Sequence, residues 1–154
     1  MALTTLGNTA FSTSAVVSAT IKDSAVVYNK LDANTAHTDR NQSFSVAQRG
    51  SISALGVQTS TVTLNMNTSN YFSLTANGNI TIANPTNLTA GQAGAIIVTA
   101  NGNYTTSFGS QWRFASGTAP TLSTTAGKVD RLDYVVQSSN TIHTVATIDL
   151  LGTA

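Results

Sequence analysis

Residues 91–150, GQAGAIIVTANGNYTTSFGSQWRFASGTAPTLSTTAGKVDRLDYVVQSSNTIHTVATIDL, decide how this chain folds. They hold the only tryptophan, and they alternate apolar and polar residues in Tyr104/Thr106/Phe108, Trp112/Phe114 and Leu132/Tyr134/Val136. A period of two places alternate side chains on opposite faces of a strand, so each of these runs reads as a strand with one buried face. Ala95 to Val98 is continuously apolar and reads as a central strand covered on both sides. Asn101-Gly102 follows it as a hairpin turn, and Ser138-Ser139-Asn140 joins two strands of a final hairpin. On the last strand Ile142, Ala146, Ile148 and Leu150 are assigned to one face, opposite His143, Val145, Thr147 and Asp149.

Working outward, residues 51–90 continue the pattern. Val62/Leu64/Met66, Phe72/Leu74 and Ile80/Ile82 alternate, with Asn77-Gly78 as a second predicted hairpin turn. Pro85 and the glycines up to Gly94 mark a loop. Helical signal is close to absent, and the one weak candidate, 19–31, is rich in β-branched residues.

Composition agrees. The chain has 154 residues, about one domain, of which only 8% are charged; Glu is absent and Thr, Ser and Asn fill the polar positions. Seven basic and six acidic residues are scattered without a basic run, which argues against electrostatic binding to nucleic acid or to an anionic membrane. No cysteine is present, so disulfides and thiolate metal sites are excluded. The first twenty residues carry no charged, apolar leader pattern, and no apolar run is long enough for a membrane helix; the expectation is a soluble protein made in the cytoplasm. Sheets so poor in charge have little protection against edge-to-edge pairing, which makes oligomeric assembly the natural cover.

Residues 1–45 differ from the rest. Phe11, Ile21 and Leu31 recur at a spacing of ten, and Ala15-Val16-Val17 returns as Ala25-Val26-Val27. This fits neither a helical stripe nor one long strand. It fits short extended segments that cannot bury their own apolar residues, an arm seeking a surface; the plainer alternative is a loose terminal tail. Phe11, Val16, Val17, Ile21, Val26, Val27 and Leu31 are the candidate anchoring residues. The polar stretch 34–43 then links the arm to a β domain over 46–154.

No constellation announces a reaction. His37 and His143 lack a third ligand at close spacing, no carboxylate pair has a catalytic setting, and no serine sits in a nucleophile elbow, so neither catalytic residues, metal nor cofactor is expected. Five Asn-x-Ser/Thr sequons follow from the abundance of Asn and Thr. Asp130, Arg131 and Asp133 form the densest charge cluster and are candidates for ion pairs within or between subunits, Arg131 and Asp133 sharing a face. Trp112 and Phe114, with Tyr104 and Tyr134, read either as a sugar-binding aromatic platform or as core; the core is favoured for Trp112 and Phe114, because a lone tryptophan usually anchors a core of this size.

The order of Gly91-Gln-Ala-Gly-Ala-Ile-Ile-Val, Gly109-Ser-Gln-Trp-Arg-Phe, Gly117-Thr-Ala-Pro-Thr-Leu and Val129-Asp-Arg-Leu-Asp-Tyr resembles a β-rich module of tailed-phage virion proteins, tail fibres above all. Phe44-Ser-Val-Ala-Gln-Arg-Gly50 looks like the segment that precedes it, and the period-ten arm is similar to repeats of phage fibre shafts and anchors. The resemblance implies a homotrimeric, non-enzymatic structural protein located on the virion, at the capsid surface or the tail. With three repeat units and one β domain, the chain looks more like a capsid decoration (cement) protein bound to the major capsid protein or another virion protein. The alternative is a short tail fibre or adsorption protein that contacts host glycan. The expected fold is an all-β antiparallel β-sandwich, jelly-roll-like, with an extended N-terminal arm.

Overall fold

In the computed structural model of the chain, Ala47 and residues 49–150 are described. The anchoring candidates Phe11, Val16, Val17, Ile21, Val26, Val27 and Leu31, and the expected domain boundary at residue 45, lie outside them.

The described chain is all-β. Its strands are β1 (Ile52–Gln58), β2 (Thr61–Val62), β3 (Tyr71–Ala76), β4 (Ile80–Ile82), β5 (Ala93–Ala100), β6 (Thr106–Phe108), β7 (Trp112–Arg113), β8 (Val129–Ser138) and β9 (Thr141–Thr147). They form a six-stranded sheet in the order β1-β3-β5-β8-β9-β7 and a three-stranded sheet in the order β2-β4-β6. Strands β1, β3 and β5 run parallel, as do β2, β4 and β6. Consecutive strands therefore alternate between the sheets, and the chain returns to each sheet in the same direction. Three coils, β1–β2, β3–β4 and β5–β6, are stacked as a short parallel solenoid.

This corrects the antiparallel, jelly-roll expectation: the sheets are mixed, and the antiparallel pairs are β5 with β8 and β8 with β9. Asn77-Gly78 and Asn101-Gly102 are not hairpin turns but corners that pass the chain from the larger sheet to the smaller. A hairpin would place β3 beside β4 and β5 beside β6. Instead β3 pairs with β5 so that Ala76, just before the first corner, lies beside Ala100, just before the second.

The stack is held by three linked contributions. Phe72 and Leu74 of β3 and Ile96 and Val98 of β5 point inward and meet Val62, Leu64, Ile80 and Ile82 in one buried core. Each fully buried aliphatic or aromatic side chain contributes about 1.5–3 kcal/mol of transfer free energy. Backbone bonds then tie coil to coil outside the strands: Asn77 N–H donates to Gln58 O at 2.8 Å, Asn101 N–H to Ala76 O at 2.9 Å, and Ala83 N–H to Val62 O at 2.9 Å.

Side chains repeat the same ties at the corners and between the paired strands β4 and β6. Asn101 donates its amide to Asn77 Oδ1 at 3.0 Å, Asn87 donates to Asn65 Oδ1 at 2.8 Å, and Thr81 and Ser107 share a hydroxyl bond at 2.8 Å. Asn79 Oδ1 accepts from the Thr105 backbone at 3.0 Å, and Asn84 Oδ1 from the Gln111 backbone at 2.9 Å. An Asn or Thr at a corner carries both donor and acceptor capacity, so identical residues in adjacent coils can bond one another. The abundance of Asn and Thr is thereby given a structural use.

Replacing Asn101 with Ala is expected to lower stability by about 0.5–1 kcal/mol, since the pair is solvent-exposed. The Asn77→Ala/Asn101→Ala double variant should cost less than the sum of the two single changes, a non-additivity readable from urea midpoints.

The hairpin β8–β9 ends the solenoid. β8 covers the open edge of β5 in antiparallel register, Ile96 opposite Leu132 and Val98 opposite Asp130. β9 then covers β8, and β7 runs parallel beside β9, with Trp112 opposite Ile142. Leu132, Tyr134, Val136 and Ile142 are buried, as their alternation predicts. Ile148 and Leu150 are exposed instead, because β9 stops at Thr147 and Asp149 adopts a positive φ of 58° that turns the chain away.

Candidate functional site

The residues singled out from the sequence separate into an interior cluster and an outer surface. Trp112 is 4% exposed and lies in the core. Its indole N–H donates to Ala83 O at 3.0 Å, which ties β7 to the segment after β4. Its ring meets Tyr134 edge-on at 6.4 Å and Phe108 at 6.5 Å, while Phe114 packs on Phe108 at 4.8 Å and is half-buried. Edge-to-face pairs of this kind add to the area they bury. With Trp112 and Tyr134 inside, the four aromatics do not make a sugar-binding platform.

Tyr134 is 2% exposed, and its hydroxyl donates to Asn70 O at 2.8 Å. Burial, with the charge of Tyr71 as a second cause, pushes its phenol up to about 12. A raised folded-state value means that the neutral phenol is favoured by folding, so its stabilisation is complete below the unfolded value near 10 and is lost as pH rises toward 12. Ultraviolet titration should show a late-ionising tyrosine with a midpoint of about 12, and stability should decline across that window. A Tyr134→Phe variant should lose the late-titrating group.

Asp130 departs from its expected role. It is 1% exposed and points inward, opposite Val98. Its carboxylate accepts the Ser123 N–H at 2.5 Å, the Ser123 hydroxyl at 2.7 Å and the Asp149 N–H at 2.8 Å. It joins the loop between β7 and β8 to the end of β9, and a buried carboxylate used in this way is not available to a neighbouring subunit. Sequence alternation already puts Asp130 on the face of Leu132 and Tyr134, which is the signal that it is inward.

Arg131 and Asp133 point outward and pair with each other. Arg131 Nη2 lies 2.8 Å from Asp133 Oδ1, and Nε donates to the same carboxylate at 2.8 and 3.1 Å. The hydrogen bond and charge of Asp133 raise the Arg131 guanidinium still further above its ordinary value. The pair is within the chain; a second pair, Lys128 with Asp149 at 2.6 Å, sits at the base of the hairpin.

Between Tyr71 on β3 and the Arg131–Asp133 pair on β8, strand β5 contributes Ala93, Gly94, Ala95 and Ile97. The small residues Ala93, Gly94 and Ala95 leave a shallow groove of about 470 Å³. Gly94 makes room for the hydrogen bond between the Tyr134 hydroxyl and the Asn70 carbonyl, because a Cβ there would collide with both. Tyr71 and Gly94 were not singled out from the sequence. The fixed pairing of β3, β5 and β8 is what brings them beside Arg131, and period-two patterns carry no such information.

His143 is exposed on β9, beside Arg113 and Val135, and His37 lies outside the described residues. Among the described residues no group of three His, Asp, Glu or Cys is placed to hold a metal ion, and no helix is long and apolar enough to cross a membrane. Neither a family model, nor a curated protein, nor a solved structure matches the chain.

Proposed function

We propose that this protein is a structural component of a tailed-phage particle, a capsid decoration (cement) protein that binds the assembled head and stabilises it as a homotrimer. The observation that carries the reading is the use made of residues 91–150, whose motif order resembles the phage virion module. They form the last coil and the closing hairpin, a rigid end built for packing rather than chemistry. All three described carboxylates serve the scaffold: Asp130 accepts backbone and Ser123 bonds, Asp133 pairs with Arg131 and Asp149 with Lys128. The Ala-Val-Val arm, with Phe11, Ile21 and Leu31, is the proposed fastening to the major capsid protein or another virion protein.

Mixing the purified protein with undecorated heads, with and without residues 1–45, tests this. The intact chain should bind in many copies and the truncated one should not; failure of the intact chain to bind rejects the role. Labelling the protein on particles by electron microscopy distinguishes a shell-wide pattern from tail-only label, which would point to a short tail fibre or adsorption protein instead.

A further inference from the structure

The outer face of the six-stranded sheet is broad and carries exposed apolar side chains. Across it the register aligns Ile52, Tyr71, Ala95, Asp133 and Val145 in one row, and Ala93, Val135, His143 and Arg113 in another. Val145 is 68% exposed, Val135 51%, Ile52 55% and Tyr71 41%. Their neighbours Val136, Leu132 and Ile142 face inward and are buried, so the exposed valines are not core residues at a frayed edge. Val135 and Val145 lie on the adjacent strands β8 and β9, and Ile52 and Tyr71 on the adjacent strands β1 and β3. Exposed apolar side chains grouped in this way on one face mark an interaction surface.

We infer that this face is where copies of the chain pack against one another. Size is the first argument. Six strands about 4.8 Å apart span roughly 24 Å; the central strands β5 and β8, at about 3.3 Å per residue, run roughly 26–33 Å, and the outer strands are shorter. That gives about 600 Å² in projection, the scale of the roughly 800 Å² per partner that a stable interface buries. Charge is the second. The ionisable groups aligned in these rows and beside them are Arg113, Arg131, Asp133 and His143, and the central two already neutralise each other at 2.8 Å. A second copy brings the same pair with both signs, so acceptor can meet donor, whereas a partner of one sign could not satisfy it; Arg113, on the edge strand β7, is left at the solvent-exposed rim. The groove over Ala93 to Ala95 is the space into which a neighbour's protruding side chains fit.

This inference rests on the proposed oligomer, and the test separates the two. Molar mass is measured by light scattering for the full chain, for Val145→Glu and Val135→Lys, and for Thr61→Glu on the exposed side of β2 as control. The wild type and the control should be oligomeric and the two valine variants monomeric, with unchanged circular dichroism. A monomeric wild type overturns both this inference and the trimer. An oligomeric wild type whose valine variants stay oligomeric overturns the inference alone. Because the chain has no cysteine, Val145→Cys and Thr61→Cys give an independent reading that needs no disruption of the assembly. Labelling of Val145→Cys with a bulky maleimide should be slowed at least about tenfold in the oligomer relative to Thr61→Cys, a protection of about 1.4 kcal/mol; equal rates overturn the inference.

Discussion

Replacing Trp112 with alanine is expected to lower the stability of the β domain by about 4 kcal/mol. Three losses combine. The indole is 4% exposed, so its removal leaves a cavity between the two sheets. Its edge-on contacts with Tyr134 and Phe108 disappear. The Ala83 carbonyl, 3.0 Å from the indole nitrogen, loses its side-chain donor. A Trp112→Phe variant restores most of the volume but not the bond, and should cost about 2 kcal/mol or less. Denaturant midpoints of the two variants measure the difference. If alanine cost no more than phenylalanine, the indole would not be the joint between the solenoid and its closing strands. A loss of 4 kcal/mol is a large share of the 5–15 kcal/mol that usually separates folded from unfolded domains.

Asp130→Ala is expected to have the second-largest effect, about 3 kcal/mol. The side chain accepts bonds from Ser123 N–H, Ser123 Oγ and Asp149 N–H in a site that is closed to solvent. Removing it leaves two backbone donors and a hydroxyl without their acceptor, and frees both the loop before β8 and the turn after β9. Asp130→Asn keeps one oxygen but turns an amide against an N–H donor, so it should recover only part of the loss. Hydrogen exchange at Ser123 and Asp149 is the specific readout: both amides should be protected in the wild type and exchange quickly in Asp130→Ala.

The two predictions concern residues that the sequence exposed to different degrees. Trp112 stands in phase with Phe114, and Leu132, Tyr134 and Val136 alternate; the buried side of each strand follows from that spacing alone. Asp130 belongs to the same alternation, yet its charge suggests a surface pair. Only the three donors around it explain why a carboxylate is held inside. The outward Arg131 and Asp133 were legible as a pair because residues two apart on a strand share a face.

Strand partners were not legible in the same way. Alternation assigns a face but not a neighbour, and Asn-Gly between two alternating runs is the usual mark of a hairpin. The distinguishing signal is the identity of Thr75-Ala-Asn-Gly-Asn79 and Thr99-Ala-Asn-Gly-Asn103, which recur at a spacing of 24 residues. A repeated corner at that interval means a repeated coil, because hairpin turns have no reason to share flanking residues, whereas stacked corners bond to one another through them. The contact of Asn77 with Asn101 is that bond. Tyr71 and the groove beside it depend wholly on this stacking and were invisible without it.

The stacking of coils underlies both the scaffold and the outer face proposed for self-association, and proton–proton contacts in the nuclear Overhauser spectrum of the folded protein test it most directly. A parallel solenoid predicts contacts between Phe72 and Ile96, Thr75 and Thr99, and Thr81 and Ser107, the pairs aligned across adjacent coils. Strong Hα–Hα contacts between Thr75 and Ile80 and between Ser73 and Ile82, the signature of a hairpin across Asn77-Gly78, would contradict it.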